Sequence, residues 1–205
     1  MKFKTDQEKF WNGEFGDDYI SRNKSKEQLA SNINFFSTIF KNINKPKTLM
    51  EFGPNIGLNL RAIQFLCPNI ELSAIEINSK AVETLKKFID DKNIFNDSIL
   101  NVDLNKQYDV TLIKTVLIHI NPEHLNDVYE KLYNSSKKYI LICEYYNPSP
   151  VTINYRGHDE RLFKRDFAGE MMDKYTDLEL VDYGFCYKRD NNFSLDDITW
   201  FLLKK

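Results

Sequence analysis

The sequence predicts an α/β fold in which a mostly parallel sheet ends in an antiparallel pair of strands. First, short apolar runs alternate with segments of helical periodicity through the middle of the chain, and this alternation is typical of βαβ units. Second, the last two strand-like runs, 178–187 and 198–203, are joined by a polar connection, which predicts a hairpin. Third, the 205 residues contain no internal repeat or linker, so one domain is expected.

Five strand-like runs precede the terminal pair, and five helical segments accompany them. The strand-like runs are 48–52, 70–75, 94–100, 110–114 and 139–144. The helical segments are 26–40, 58–66, 79–90, 122–133 and about 164–174. Ser79 is a suitable N-cap for the third helix. Asn121 and Pro122 supply a cap and a first-turn proline for the fourth.

Composition and charge exclude several classes of protein. Hydrophobic residues make up 42% of the chain, which indicates a packed core. Lys and Arg number 28 against 30 Asp and Glu, and the formal charge of −2 gives no basis for nonspecific nucleic-acid binding. No apolar stretch is long enough to span a membrane, and the polar opening 1–9 lacks a secretory signal pattern. A cytoplasmic protein without nucleic-acid or membrane partners is expected, and its oligomeric state is left open.

The cysteines and potential metal ligands do not have the spacing of a disulfide framework or a metal site. Cys67, Cys143 and Cys186 lie too far apart for a metal cluster or a disulfide framework. Cys143 lies within an apolar run and is expected to be a small core residue. No group of His, Asp and Glu has metal-ligand spacing, so no metal site is predicted.

The run 49–59 is the strongest local motif. It reads as a strand ending in the acid Glu51, a turn containing Gly53 and Gly57, and the start of a helix that includes Asn59. Glycines after an acid-terminated strand let a ligand approach the backbone closely. Asn55 lies between the glycines, and asparagine tolerates a left-handed backbone. Such a turn would also suit a nicotinamide enzyme or be a plain tight turn.

A second acid strengthens the first motif. Glu76 ends the next strand and lies nineteen residues after Gly57, with Ile77 following it. An acid here can accept hydrogen bonds from the ribose hydroxyls of an adenosine cofactor, although a surface carboxylate at a strand end is the plain alternative. A nicotinamide enzyme would show Gly-x-Gly-x-x-Gly, which is absent, and that alternative leaves the terminal strand pair without an explanation.

These motifs together resemble class I S-adenosylmethionine-dependent methyltransferases. Their first motif is acid-x-Gly-x-Gly-x-Gly, with Asn55 here in place of the middle glycine. Segment 108–122, with Lys114 and His119, is similar to their fourth strand and its Pro-terminated loop. Asp97 and Ser98 match the place where these enzymes present an acid and a backbone amide to adenine, although aspartate also makes ordinary turns.

The resemblance implies a Rossmann-like class I methyltransferase fold. That fold has a seven-stranded, mostly parallel sheet, an antiparallel C-terminal strand pair and helices on both faces. The implied cofactor is S-adenosyl-L-methionine, with S-adenosyl-L-homocysteine as the product. The implied cofactor-binding residues in this part of the chain are Glu51, Gly53, Asn55, Gly57, Asn59, Glu76, Ile77, Asp97, Ser98 and Lys114.

The flanking segments resemble a narrower family, the pseudaminic acid biosynthesis-associated methylases. The similar segments are 10–23, 143–150, 155–158 and 163–168, and the resemblance extends over nearly the whole chain. It implies N- or O-methylation of a nonulosonic acid of the pseudaminic or legionaminic type, free or nucleotide-activated. Such sugars belong to bacterial surface glycans, as in flagellin glycosylation. The alternatives are a small-molecule methyltransferase of other specificity and a noncatalytic cofactor-binding protein.

Segment 10–23 is predicted to be a lid. It combines aromatic residues, glycines and a lone arginine, an unusual mixture for a solvated tail. Trp11, Tyr19 and Arg22 are expected at the cofactor, with Arg22 suited to the methionine carboxylate; ordinary N-terminal packing is the alternative. The single domain would then consist of lid and helix (1–45), cofactor-binding core (46–144), and acceptor loop, helix and terminal hairpin (145–205).

The loop after the fifth strand is predicted to bind the acceptor. Arg156, His158 and Arg161 would offset the charge of an acidic sugar, unless they tie the loop to nearby acids. Aromatic and amide side chains in the same stretch would contact the sugar or pack the loop. They are Tyr146, Asn147 and Tyr155.

Three residues are candidates for catalysis. Glu144 and His158 are the candidate general bases by position. His119 would orient the acceptor or cap the adjoining helix. Because the cofactor carries the reactive electrophile, alignment of the reacting groups is expected to be the main task of the protein.

Overall fold

The computed structural model of this protein describes residues 2–22 and 25–205, apart from the side chains of residues 21, 22 and 158–160. The helices are α1 (Asp6–Asn12), α2 (Glu14–Arg22), α3 (Lys26–Phe40), α4 (Leu58–Leu66), α5 (Ser79–Leu85), α6 (Leu125–Ser135) and α7 (Phe167–Lys174). The strands are β1 (Thr48–Phe52), β2 (Glu71–Ile75), β3 (Ile94–Phe95), β4 (Tyr108–Lys114), β5 (Ser136–Glu144), β6 (Val151–Tyr155), β7 (His158–Lys164), β8 (Glu179–Phe185) and β9 (Thr199–Lys204). Short 3₁₀ turns occupy Asp91–Asn93, Leu117–His119 and Pro122–His124.

The central sheet has the strand order β3-β2-β1-β4-β5-β9-β8. Neighbouring strands from β3 to β5 are parallel, whereas β9 is antiparallel to both β5 and β8. The predicted seven-stranded, mostly parallel sheet with an antiparallel C-terminal pair is therefore confirmed. The order reverses between β1 and β4, and ligands of open α/β sheets bind at such a switch point.

Helices cover both faces of this sheet. Successive side chains of a strand point to opposite faces, so Leu49 and Met50 of β1 enter two separate apolar cores. The Leu49 core includes residues of α3, α4 and α5, and the Met50 core includes residues of α6 and α7. Because both faces are buried, the parallel strands read as continuous apolar runs in the sequence.

The third strand is shorter than the predicted run 94–100. It ends at Phe95, because polar side chains then bond to nearby backbone groups instead of continuing a ladder. The Asp97 carboxylate accepts from Ser98 N–H at 2.7 Å, and Ser98 Oγ accepts from Leu100 N–H at 3.1 Å. Helix α5 also differs from the prediction: Asn78, not Ser79, caps its first turn, and the helix ends at Leu85.

The predicted acceptor loop is largely a β-hairpin. Strand β6 pairs with β7 in a separate two-stranded sheet. Arg156 and Gly157 form the turn with φ values of 53° and 85°, as a two-residue hairpin turn of the primed type requires. Helix α7 begins at Phe167, with Asp166 accepting from Gly169 N–H, rather than near residue 164.

The predicted lid forms two helices that pack on the carboxyl edge of the sheet. Helix α1 begins with a capping box made by Thr5 and Glu8. In α2, Asp17 accepts from Asn78 Nδ2 at 2.9 Å and pairs with Lys80. Residue 23, at the end of the predicted lid, lies outside the described residues. Ordering of this segment by a cofactor stays a prediction.

Within the described ranges, no helix is long and apolar enough to cross a membrane.

Candidate functional site

A cavity of about 640 Å³ lies at the carboxyl ends of the parallel strands. The turns after β1, β2, β3 and β4 form its floor and sides, and α1, α2, α3 and the β8–β9 connection complete its walls. The predicted residues that line it are Trp11, Tyr19, Gly53, Asn55, Asn59, Glu76, Ile77, Ser98, Lys114 and His119. The topology thus brings most of the predicted cofactor-binding residues to one cavity.

The turn after β1 has a backbone that glycine is needed to form. Gly53 has a φ of 72°, and a Cβ atom there would lie 2.7 Å from Val116 Cγ2. Asn55 is also left-handed, with a φ of 52°, as the sequence suggested. Gly57 does not line the cavity; it occupies the N-cap position of α4.

The carboxylate of Glu76 is fixed at the rim of this turn. Its Oε2 accepts from Asn55 N–H at 2.7 Å and its Oε1 accepts from Asn78 N–H at 2.8 Å. Burial raises the pKa of Glu76 to about 7, against the lowering effect of these backbone donors. Each oxygen has a second lone pair, so the group can still accept a hydrogen bond from a ligand hydroxyl in the cavity.

Glu51 acts one layer behind the cavity wall. It is fully buried, and its Oε1 accepts from Asn59 Nδ2 at 2.6 Å. Its Oε2 has no hydrogen-bond partner among the described residues. Burial raises the pKa of Glu51 to about 7. Glu51 does not line the cavity, whereas Asn59 does, so the acid positions the Asn59 amide.

Asp97 does not reach the cavity, although Ser98 beside it does. Its Oδ1 accepts from Ser98 N–H at 2.7 Å and from Asn101 Nδ2 at 3.2 Å. The Ser98 amide is therefore also occupied. Both groups close a local turn, and their contact with adenine stays a prediction.

His119 is a neutral acceptor in the cavity wall. Its Nδ1 lies 2.6 Å from the carbonyl oxygen of Arg161. A carbonyl only accepts, so Nδ1 carries the proton and Nε2 keeps a free lone pair. Burial lowers the pKa of His119 to about 4. The ring packs between Trp11 and Tyr155, with centroid distances of 4.7 and 5.0 Å.

Glu144 is placed as a structural group rather than a general base. It is buried and does not line the cavity. Its Oε1 accepts from Val116 N–H and Leu117 N–H, each at 2.9 Å, and so holds the turn after β4. Burial raises the pKa of Glu144 to about 7. The side chains of the other predicted base, His158, and of the predicted carboxylate ligand, Arg22, lie outside those described.

Three buried carboxyls with raised pKa values make stability depend on pH. Between pH 4.5 and 7 the folded chain keeps protons on Glu51, Glu76 and Glu144 that the unfolded chain releases, so the free energy of unfolding falls as pH rises. His119 opposes this between pH 4 and 6.5, where only the unfolded chain binds its proton. The net expectation is a fall of roughly 1.4 kcal/mol per pH unit for each net proton.

Urea denaturation at about pH 5 and pH 7.5 measures this dependence. Glu144→Gln should show a shallower fall than the wild type, because one of the three carboxyls no longer titrates. Higher stability at pH 7.5 than at pH 5 in the wild type would contradict the assignment.

Four of the predicted acceptor residues lie outside the lining of the large cavity. Tyr146, Asn147, Tyr155 and Arg156 do not line it. Arg156 is exposed at the hairpin turn, with its guanidinium 5.6 Å from the Tyr155 ring centre. The hairpin packs against the N-terminal helices, with the Tyr155 ring 6.0 Å from that of Phe15, and against the cavity wall, with the same ring 5.0 Å from that of His119.

Arg161 is likewise outside the lining of the large cavity. Its guanidinium lies 5.6 Å from the ring centre of Phe10, and its carbonyl oxygen accepts the hydrogen bond from His119 Nδ1–H. It lines a separate cavity of about 280 Å³, which includes Lys4, Glu123 and His124. Binding of an acceptor by this loop stays a prediction.

Two segments without a predicted site residue also line the cavity. Helix α3 contributes Glu27, Gln28, Ser31 and Asn32, and the β8–β9 connection contributes residues between 188 and 198. Asn32 is 4% exposed, and its Oδ1 has no partner among the described residues. The sequence does carry a signal for this part of the wall. The polar residues Ser31 and Asn32 share the buried side of a helix with Phe35 and Phe36.

This added wall is acidic. Glu27, Asp190 and Asp196 line it, whereas Lys188 is paired with Asp197 at 3.4 Å. Tyr145 hydrogen-bonds to Asp196 from outside the cavity. Among the described residues, no group of three or more His, Cys, Asp and Glu side chains could hold a metal ion.

Comparison with known proteins identifies the fold. The structure matches the plantazolicin methyltransferase BpumL in complex with SAH at 15% identity, a TM-score of 0.68, and coverage of 97% of this chain and 93% of that chain. The chain has the class I methyltransferase fold. It also matches magnesium protoporphyrin IX methyltransferase from Synechocystis PCC 6803 with bound SAM at 10% identity, a TM-score of 0.66 and full coverage of both chains (100% and 100%).

A third solved structure is a S-adenosylmethionine-dependent methyltransferase from Clostridium acetobutylicum ATCC 824. The identity is 12% and the TM-score 0.62, over 91% of this chain and 95% of that chain. No protein-family model and no curated protein matches the sequence. The class I methyltransferase fold is thus established by structure, as the sequence motifs predicted.

Proposed function

We propose that this protein is an S-adenosylmethionine-dependent methyltransferase. The observation that carries the proposal is the fixed carboxylate of Glu76, held by Asn55 and Asn78 and facing the cavity at the switch point of the sheet. A carboxylate at the end of the second strand suits the ribose hydroxyls of an adenosine cofactor. The shared fold with methyltransferases that bind SAM or SAH supports the same function.

The charge of the cavity fits this cofactor. Among its described lining residues, five carboxylic acids face two lysines; they are Glu8, Glu27, Glu76, Asp190 and Asp196 against Lys114 and Lys188. S-adenosylmethionine supplies a methyl group on a positively charged sulfur. An excess of acidic groups stabilises a cation in the cavity. The neutral sulfur of the product loses this stabilisation, which favours exchange for fresh cofactor.

The chain's own residues would align the acceptor and exclude water. Helices α1 and α2 form one wall with Trp11 and Tyr19, which separates the cavity from solvent. When the electrophile is already activated, much of the rate acceleration comes from alignment of the acceptor with the methyl group. The free Nε2 of His119 can accept a hydrogen bond from an acceptor hydroxyl or amine and so orient its lone pair.

The proposed acceptor is a nonulosonic acid of the pseudaminic or legionaminic type, free or nucleotide-activated. The similarity of segments 10–23, 143–150, 155–158 and 163–168 to pseudaminic acid-associated methylases supports this acceptor class. The acidic wall of α3 and the β8–β9 connection favours a sugar that presents an amine or amidine nitrogen to the cavity. The carboxylate of the sugar would point away from Glu27, Asp190 and Asp196. N-methylation is thus favoured over O-methylation.

Methyl transfer assayed by mass spectrometry tests this function. The purified protein is incubated with S-adenosylmethionine and either free or nucleotide-linked nonulosonic acids that carry amino or amidino groups. A product heavier by one methylene supports the proposal. Transfer only to unrelated small molecules would overturn the acceptor class, and cofactor binding without transfer to any acceptor would overturn the enzymatic role.

Asp196→Asn tests the location of the acceptor. The amide keeps the size of the side chain but removes a charge from the acidic wall, so the KM for an amino sugar should rise about three- to tenfold. The substitution is expected to leave the Kd for S-adenosylhomocysteine within a factor of two. Arg156→Ala is the matched control, because Arg156 lies outside the cavity. A larger effect of Arg156→Ala on the sugar KM would return the acceptor site to the hairpin.

A further inference from the structure

Glu8 of α1 has a buried carboxylate oxygen that the fold itself does not use. Its Oε2 accepts from Lys4 N–H and Thr5 N–H, each at 2.6 Å, and from Thr5 Oγ1 at 3.1 Å. Its Oε1 has no hydrogen-bond partner in the described part of the chain, although Glu8 is only 7% exposed. Burial of an acceptor without a donor is costly. Glu8 also lines the large cavity, so a ligand there can supply the donor.

The position of Glu8 along the sheet identifies which part of a ligand it meets. Lys4, whose N–H is bound to Glu8, extends its Nζ to Leu100 O at 2.8 Å. Asn101 Nδ2 donates to Lys2 O at 2.9 Å, so the start of the chain is fastened to the turn after β3. Strand β3 lies next to β2, which ends at the turn that holds Glu76. A nucleoside with its ribose at Glu76 would therefore extend its base toward Glu8.

The turn after β3 offers the base an apolar surface, and its acid Asp97 does not line the cavity. Ile99 and Leu100 line the cavity there, and a purine ring packs well on apolar side chains. The nearby carboxylate of Asp97 bonds to Ser98 N–H and Asn101 Nδ2 through its Oδ1 and does not line the cavity. Glu8 is thus the acid that faces the cavity beside this turn.

We propose that Glu8 Oε1 accepts a hydrogen bond from the exocyclic amine of adenine and selects adenosine over other purine nucleosides. This inference rests on the proposed cofactor. Adenine presents an amino group that donates, whereas a 6-oxo purine presents a carbonyl that accepts. An ionised carboxylate only accepts, so it would face the carbonyl without a hydrogen bond. A site that leaves a buried polar group unpaired discriminates strongly against such an analogue.

Calorimetric titration with two ligands tests the proposal. S-adenosylhomocysteine and S-inosylhomocysteine differ in the amine and carbonyl at the purine 6-position. The wild type should bind the adenosine compound about 10- to 100-fold more tightly. Glu8→Gln should remove or reverse this preference, since its amide can donate to the carbonyl. Glutamine also satisfies a capping box, so α1 should keep its first turn.

Each outcome decides the proposal. Equal affinities in the wild type, or the same preference in Glu8→Gln as in the wild type, would overturn the role of Glu8 while leaving the cofactor assignment intact. Failure of the wild type to bind either ligand would overturn both. Arg156→Ala, which changes a residue outside the cavity, should retain the wild-type preference.

Discussion

Glu76→Ala is expected to weaken binding of S-adenosylhomocysteine by about 5- to 150-fold, or ~1–3 kcal/mol. The substitution removes a buried carboxylate that faces the cavity, and with it the hydrogen bonds proposed for the ribose. It also leaves Asn55 N–H and Asn78 N–H without their acceptor, so both adjoining turns lose order. Isothermal titration calorimetry measures the loss directly.

Glu144→Gln is the control for this experiment. Glu144 is also a buried carboxyl at the end of a strand, but it does not line the cavity. Its substitution should change stability more than affinity. If Glu76→Ala binds the ligand as tightly as the wild type, the ribose contact lies elsewhere.

Gly53→Val is expected to lower the free energy of unfolding by roughly 2–5 kcal/mol and to abolish measurable cofactor binding. A valine at a φ of 72° is strained, and its Cβ would lie 2.7 Å from Val116 Cγ2. The strain falls on the turn that carries Asn55, and hence on the placement of Glu76. Urea denaturation measures the stability, and calorimetry measures the binding.

Gly157→Val separates the two causes. Gly157 has a φ of 85°, but no atom lies within 4 Å of a Cβ built there. The free energy of unfolding of Gly157→Val should therefore fall by about 1–3 kcal/mol, the cost of the backbone strain without the collision. Equal losses in the two variants would mean that contact with Val116 contributes nothing.

Most of the fold was predictable because apolar runs fully buried in a parallel sheet are conspicuous in sequence. The errors have local physical causes. The third strand stops early because Asp97 and Ser98 bond to nearby backbone groups instead of extending the ladder. The hairpin after β5 was not predicted because the proline-rich stretch 147–150 indicates a loop, and the β-branched run that follows it is too short to indicate a strand by itself.

The candidate site was predictable where it depends on one turn and unpredictable where distant segments meet. Gly53, Asn55 and Glu76 follow from the backbone geometry of two strand ends. Glu144 ends an equally suitable strand. Its hydrogen bonds to Val116 and Leu117, however, point the side chain into the protein interior and not into the cavity. The wall formed by α3 and the β8–β9 connection has no spacing signal, because its parts are separated by more than a hundred residues.

The way in which the N-terminal helices are attached bears on the speed of ligand exchange. The described contacts of residues 2–22 with the sheet edge include the exposed Asp17–Lys80 ion pair, a few hydrogen bonds, the ring contact of Trp11 with His119 and the small apolar cluster of Ile20. Separation of these groups would open the cavity while all seven strands stay paired. Turnover would then be limited by release of the product rather than by transfer. Added salt would shorten the time for which the ligand is held, because it screens the ion pair.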